Sequence, residues 1–256
     1  MFFHAIGGFC LLALIFIPLE RWLGLRRQPI LRFGWWTDVI YYFTGYCIGR
    51  GAGMLITLAV SVLMLQQKSI VAVPIATQPI WLQLFEAMLV ADIGYYFAHR
   101  LLHCVPWLWR FHQVHHSAKE LDWLAAVKVH PLDQVFTKVF QLVPLLLLGF
   151  SQETFAAYVL ISAAIAFFIH ANLKVDCGVL KWIIMTPEAH HCHHSSDPGR
   201  YNKNFAAQLP LVDWLGGTLY LPRHYRPDRY GIAEPVPSSY LQQLIHPFRR
   251  KMTYVP

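Results

Sequence analysis

Residues 92–116 read DIGYYFAHRLLHCVPWLWRFHQVHH and carry five of the chain's fourteen histidines. A second dense run, TPEAHHCHH at 186–194, carries four more. His99 and His103 are four residues apart, which puts them on one face of a helix. His112, His115 and His116 stand at i, i+3 and i+4, and His190, His193 and His194 repeat that spacing. Each segment can therefore aim two or three imidazoles at a common point. These eight side chains are too many for one zinc ion, which takes about four ligands. They suit two metal ions at a shared site. Imidazole serves zinc, copper, iron and nickel alike, so ligand type alone does not name the metal. A lone histidine is usually a packed or hydrogen-bonded group; three segments of matched spacing point to metal instead.

The surroundings of these runs are apolar. Of the 256 residues, 56% are hydrophobic, and the mean hydropathy is +0.39. That is too apolar for an ordinary soluble domain. It predicts an all-α, integral-membrane helical bundle, a single domain over 1–256, with a cytoplasmic histidine-rich metal-binding cap at 174–256. The net charge of +7 forms no regular basic stripe and sits between apolar segments, so it does not indicate nucleic acid. The five cysteines form no CxxC pair and suggest neither a disulfide framework nor an iron–sulfur site. Cys192 lies inside the third histidine run, where it is either a metal contact or a small packing residue.

The hydropathy pattern predicts helices at about 5–24, 35–65, 80–103, 134–149 and 153–173. The first is followed, not preceded, by arginines, which reads as an uncleaved membrane helix rather than a signal peptide. The second exceeds the ~20 residues a span needs. Its Gly45, Gly49, Gly51 and Gly53 permit close helix packing. Arg50 falls near its middle, where a charge needs a partner or a wet cavity; Glu86, at similar depth on the next helix, is the expected partner. Trp107, Trp109 and Trp123 fit either an interfacial belt or the core. The 134–149 stretch is short for a span, so it and its successor are expected to form a hairpin that only partly crosses.

Nineteen of the twenty-one Lys and Arg fall on one side of this layout, the exceptions being Lys68 and Arg50. The positive-inside rule makes that side, which also holds the histidine runs and the C-terminus, cytoplasmic. The expected location is a multi-pass position in a bacterial inner membrane or the endoplasmic reticulum.

HRLLH at 99–103, HQVHH at 112–116 and HHCHH at 190–194 match HxxxH, HxxHH and HxxHH boxes. With DIGYYFAHR, WRFHQVHHS, VHPLD, FIHAN and NKNFAAQLPLVDWLGGT, they resemble the fatty acid hydroxylase/sterol desaturase superfamily, histidine-box membrane di-iron oxygenases. The resemblance covers about residues 86–220, with weaker echoes in PLERW and WWTD. It implies two iron ions, for which zinc can substitute in purified samples, and no catalytic residue beyond the di-metal centre. The implied ligands are His99, His103, His112, His115, His116, His170, His190, His193 and His194. His130, in VHPLD, and the carboxylates Asp92 and Asp213 are expected to hydrogen-bond and orient those ligands. His191 sits at the edge of its neighbours' arc and is read as a non-ligand, while His4, His224 and His246 have no spacing partner. Lys128 stands where relatives carry Arg, so a contact requiring a guanidinium fork is not available there.

The implied activity is hydroxylation or desaturation of an unactivated C–H bond of a lipid, using O2 and external electrons. The implied partners are the membrane, a lipid substrate and a separate electron-transfer protein, of ferredoxin or cytochrome b5 type with its reductase. The fused HPGG haem motif of some family members is absent from these residues. The alternative is a zinc-dependent membrane hydrolase acting on lipid amides. HExxH, the metalloprotease signature, is absent. The single ExxH at Glu188 lacks the further carboxylates of soluble di-iron bundles.

Overall fold

The computed structural model describes residues 2–66, 74–221 and 227–249. Within them the fold is all-helical, with only two isolated backbone bridges and no strand. Nine α-helices follow in order: α1 (Phe2–Trp22), α2 (Trp35–Gln66), α3 (Ile80–Cys104), α4 (Pro106–His116), α5 (Pro131–Leu148), α6 (Gln152–His170), α7 (Pro187–His193), α8 (Pro210–Leu215) and α9 (Tyr240–Arg249). Lys68 and His224 lie outside the described residues.

Among the described residues, four helices are long and apolar enough to cross a membrane: Phe2–Trp22, Trp35–Leu63, Pro131–Leu148 and Gln152–His170. At about 1.5 Å per residue, α5 and α6 each run about 27–28 Å, close to the ~30 Å hydrocarbon core. The α5–α6 hairpin is thus long enough to cross, where the sequence suggested a partial crossing. The reason is local. Pro131 occupies the first helical position and the His130 side chain caps Leu132 N–H, so α5 starts three residues earlier than its apolar run. The hairpin turn is set by Gly149 in the left-handed region (φ 73°) and by Ser151, whose hydroxyl accepts from Thr154 N–H. α3 interrupts its apolar residues with Gln83, Glu86, Asp92, His99, Arg100 and His103, and is not among the four.

α5 packs between α2 and α3, and α3 also packs on α6. Gly45, Gly49 and Gly53 form a stripe that receives Gln134, Lys138 and Leu142 of α5, whereas Gly51 faces open space. Gly94 of α3 abuts the backbone of Phe140, and any Cβ there would collide with its carbonyl. This arrangement overturns the expected Arg50–Glu86 pair. With α5 interposed, Arg50 lies exposed on α2 and forms no ion pair among the described residues. One carboxylate oxygen of Glu86 is buried without a partner. The tryptophans divide: Trp107 is 61% exposed, while Trp109 and Trp123 are core.

A buried cation, Arg32, lies just before α2, and its guanidinium meets Asp38 at 2.8 Å and Asp122 at 2.5 Å. Asp122 also caps the 3-10 turn Trp123–Val127, and Glu20 accepts from Trp123 and Asn172 N–H. These contacts tie the first two helices to the chain entering α5. On the other side of α4, α9 packs against α4 and α2.

Candidate metal centre

Six of the nine clustered histidines come from two short helices begun by proline, His194 as the C-cap of the second. Val105 breaks α3, and Pro106 starts α4 at once. Pro187 starts α7, with Thr186 as its cap. These two helices and the ends of α3 and α6 bring nine histidines to one buried place. They fall into two groups, His99, His103, His112, His116 and His193 in one, and His115, His170, His190 and His194 in the other. Within each group one ring nitrogen per residue lies within 4.8 Å of all the others. The groups abut, with His116 stacked on His194 at 4.5 Å between centroids.

The split follows helix geometry. Residues four apart are about 40° apart around a helix axis, whereas the i+3 residue lies about 60° to the other side of i. Accordingly His112 and His116 turn to the first group and His115 to the second. The third box crosses over: His190 and His194 go to the second group and His193 to the first. His99 and His103 complete the first group, and His170 the second.

The protons are placed by the surroundings. Nδ1 of His99 donates to Phe205 O (2.7 Å), His115 to Lys128 O (3.2 Å), His170 to Ala166 O (2.8 Å) and His193 to Lys203 O (2.8 Å). His112 Nδ1 meets Asp133 Oδ2 at 2.8 Å. All five partners are acceptors only, so each ring keeps its proton on Nδ1 and presents a bare Nε2 lone pair. Those lone pairs converge. His99 and His112 Nε2 are 3.0 Å apart, and His115 and His170 Nε2 are 3.2 Å apart. Neutral rings in these tautomers have no proton to share at those contacts; a cation between them removes the repulsion. Metal–nitrogen bonds of about 2.1 Å would let one cation reach two nitrogens separated by 3.0–3.2 Å. Both nitrogens of His103 and Nε2 of His193 are buried without a hydrogen-bond partner. The donor set therefore fits metal ions, and both groups could hold one.

Burial first, and neighbouring imidazoles second, hold His115, His116, His190 and His194 well below the usual histidine range. His193 is pushed down to about 3 by burial. Neutral imidazole is the form that binds metal.

Several sequence expectations are relocated. His130 does not orient a ligand: Nδ1 caps α5 and Nε2 bonds Leu244 O on α9. Asp92 accepts from the backbone N–H of Ala207, Gln208 and Leu209. Asp213 accepts from Phe205 and Ala206 N–H and from the Thr218 hydroxyl. Neither touches a histidine; they hold the segment whose Phe205 carbonyl orients His99. The carboxylate in direct contact is Asp133, which sequence reasoning passed over. Its signal was a lone acid in the first turn of an apolar helix, inside VHPLD. Lys128 contributes its carbonyl to His115, a contact that does not depend on its side chain. His191 bonds Tyr230 OH (2.8 Å) and His170 O (3.3 Å) and stands outside both groups. Cys192 is buried outside both groups too, and burial pushes its thiol up to about 12.

A family model described as fatty acid hydroxylase matches residues 84–218, a stretch that contains all nine histidines. The chain belongs to the fatty acid hydroxylase family. Among its relatives, ornithine lipid hydroxylase OlsE of Rhizobium tropici is 34% identical over 173 residues, 68% of this chain and 52% of that protein. Alkylglycerol monooxygenase of Danio rerio is 34% identical over 150 residues, 59% of this chain and 33% of that protein. A very-long-chain aldehyde decarbonylase of Oryza sativa subsp. indica is 34% identical over 136 residues, 49% of this chain and 21% of that protein. The chain thus spans about half the length of the bacterial relative, and less of the others. No solved structure matches it significantly.

Proposed function

We propose that this fatty acid hydroxylase family member is a membrane-bound, O2-dependent lipid hydroxylase whose nine buried histidines hold two iron ions. The carrying observation is the division of nine imidazoles into two adjoining groups, with the Nε2 lone pairs of His99 and His112 in one and of His115 and His170 in the other converging with no proton between them. Bound iron supplies chemistry that no side chain here has, coupling O2 reduction to C–H oxidation, with two external electrons and two protons consumed and an alcohol and one water formed. The chain's own part is to keep five rings in the Nδ1–H tautomer, to make His112 a stronger donor through Asp133, and to exclude water by burial.

The histidines cluster at the ends of α3 and α6, so a lipid tail can enter from the bilayer while a soluble donor, ferredoxin or cytochrome b5, docks from the aqueous side. The distribution of Lys and Arg supports a cytoplasmic assignment for that side. The relatives named hydroxylase and monooxygenase favour hydroxylation over desaturation, and their names make amino lipids and ether lipids the first substrates to try. Hydrolysis of lipid amides by zinc gains no support from them.

The test is comparative lipid mass spectrometry of cells expressing the native chain or His193→Ala, in air, with iron content verified and a reductase supplied. A lipid class that gains one oxygen only with the native chain is the expected result. Loss of two hydrogens would reassign the reaction to desaturation. Identical lipids in both strains, with iron bound and reductase present, would overturn the oxygenase reading.

A further inference from the structure

We propose that the stretch from the 3-10 turn Gly178–Trp182 to α8, which lies outside the four candidate spans, is sunk into the leaflet on the histidine side, with its outer face against lipid acyl chains. This rests on the chain being a membrane protein and is independent of its reaction.

The first ground is depth. Asp92 is the middle residue of α3, about 10 Å along the axis from His99 at about 1.5 Å per residue. It receives the N–H groups of Ala207, Gln208 and Leu209 at 2.7–3.2 Å. The Gln208 amide reaches further, to Ser162 Oγ (3.2 Å) and Tyr158 OH (3.4 Å) on α6, about 12 and 18 Å along that helix from His170. The segment entering α8 therefore descends beside the spanning helices, below the plane of the histidines.

Backbone chemistry is the second ground. Non-helical chain at membrane depth is tolerated only when its polar groups are satisfied within the protein. Five successive N–H groups, 205 to 209, are taken by two buried carboxylates, Asp213 and Asp92. The Gln208 carbonyl is taken by Met185 N–H (2.7 Å).

The outer surface is the third. The 3-10 turn and α8 pack on each other, and together expose Val179 (78%), Trp182, Ile183, Leu211, Trp214 (64%) and Leu215. The patch continues onto α3, where Gly216 abuts Tyr96 and the next residue, Phe97, is exposed. An apolar surface of this kind, holding two tryptophans, suits the hydrocarbon edge.

The full native chain would be reconstituted in phosphatidylcholine–phosphatidylglycerol vesicles containing a phospholipid with a diazirine in mid-acyl chain, photolysed and peptide-mapped. Adducts within 178–183 and 210–215, at a yield within several-fold of that around the α6 residue Leu160, are expected. Adducts on α6 with none on those segments would overturn the proposal. As a second measurement, a nitroxide at Trp214→Cys, with Cys10, Cys47 and Cys104 replaced by alanine, should collide with oxygen more than with a water-soluble nickel chelate. Behaviour like that of a label at the exposed Lys119 would overturn it.

Discussion

Asp133, in the first turn of α5, places Oδ2 2.8 Å from Nδ1 of His112 on α4, and both side chains are buried. This is the direct carboxylate contact to the nine histidines, and it serves the five-histidine group alone. Asp133→Asn keeps the size and removes the charge. Metal affinity of that group is expected to fall about 10–100-fold, with lipid oxidation falling in parallel. Metal titration of the purified chain should show one weakened site and one unchanged. Equal weakening of both sites would contradict the assignment.

The crossed partition of the boxes predicts separable sites. His103→Ala removes a ligand from the first group and His170→Ala one from the second. Each variant should bind one metal ion where two are expected of the native chain, and the double variant none. Metal analysis checks this directly; loss of both ions in either single variant would mean that the nine histidines form one indivisible site.

Asp213 satisfies three buried donors at once. Asp213→Ala leaves the Phe205 and Ala206 N–H groups without that acceptor, while the Thr218 hydroxyl keeps Tyr96 OH (3.2 Å) and the backbone carbonyl of residue 213 (3.4 Å); at about 1–3 kcal/mol for each orphaned N–H, a loss on the order of 2 kcal/mol or more is expected. Asp213→Asn should fall between. Thermal unfolding in detergent measures the loss. Because Phe205 N–H and Phe205 O belong to the bonds of Asp213 and His99 respectively, the histidine side should loosen with it.

Acid should destabilise the metal-free chain. Burial holds His191 and His193 down to about 3 in the fold, against 6.5 for an unperturbed histidine. The unfolded chain therefore binds protons that the fold does not, and stability rises with pH. The contribution is fully present above the unfolded value, 6.5, and is lost as pH falls toward 3. His115, His116, His190 and His194 shift in the same direction. Melting temperatures of metal-stripped protein should be level above neutrality and decline steadily below about pH 6.5. A flat profile down to pH 4 would show that these rings are not buried neutral.

Much of this protein is set by local pattern. Apolar runs of the right length give spanning helices wherever they occur, and spacings of three and four residues put histidines on one side of a helix, so fold class and box membership depend on the sequence alone. Prolines at 106, 131, 187 and 210 start helices because their missing N–H costs nothing there. Assigning each histidine to one group or the other was decided by tertiary structure, since the 60° offset of an i+3 residue matters only once a second helix faces it. The same holds for the carbonyls of Phe205, Lys128, Ala166 and Lys203. Every residue has a carbonyl, so no residue type marks the ones that hold a proton on Nδ1. Arg50 and Glu86 share a depth along the chain, yet α5 stands between their helices. Asp92 and Asp213 looked like partners of histidine and became partners of backbone, because the chain from 205 to 209 runs beside α3 and turns its N–H groups onto these two carboxylates. Sequence spacing determined what each segment could offer; packing decided what each offer met.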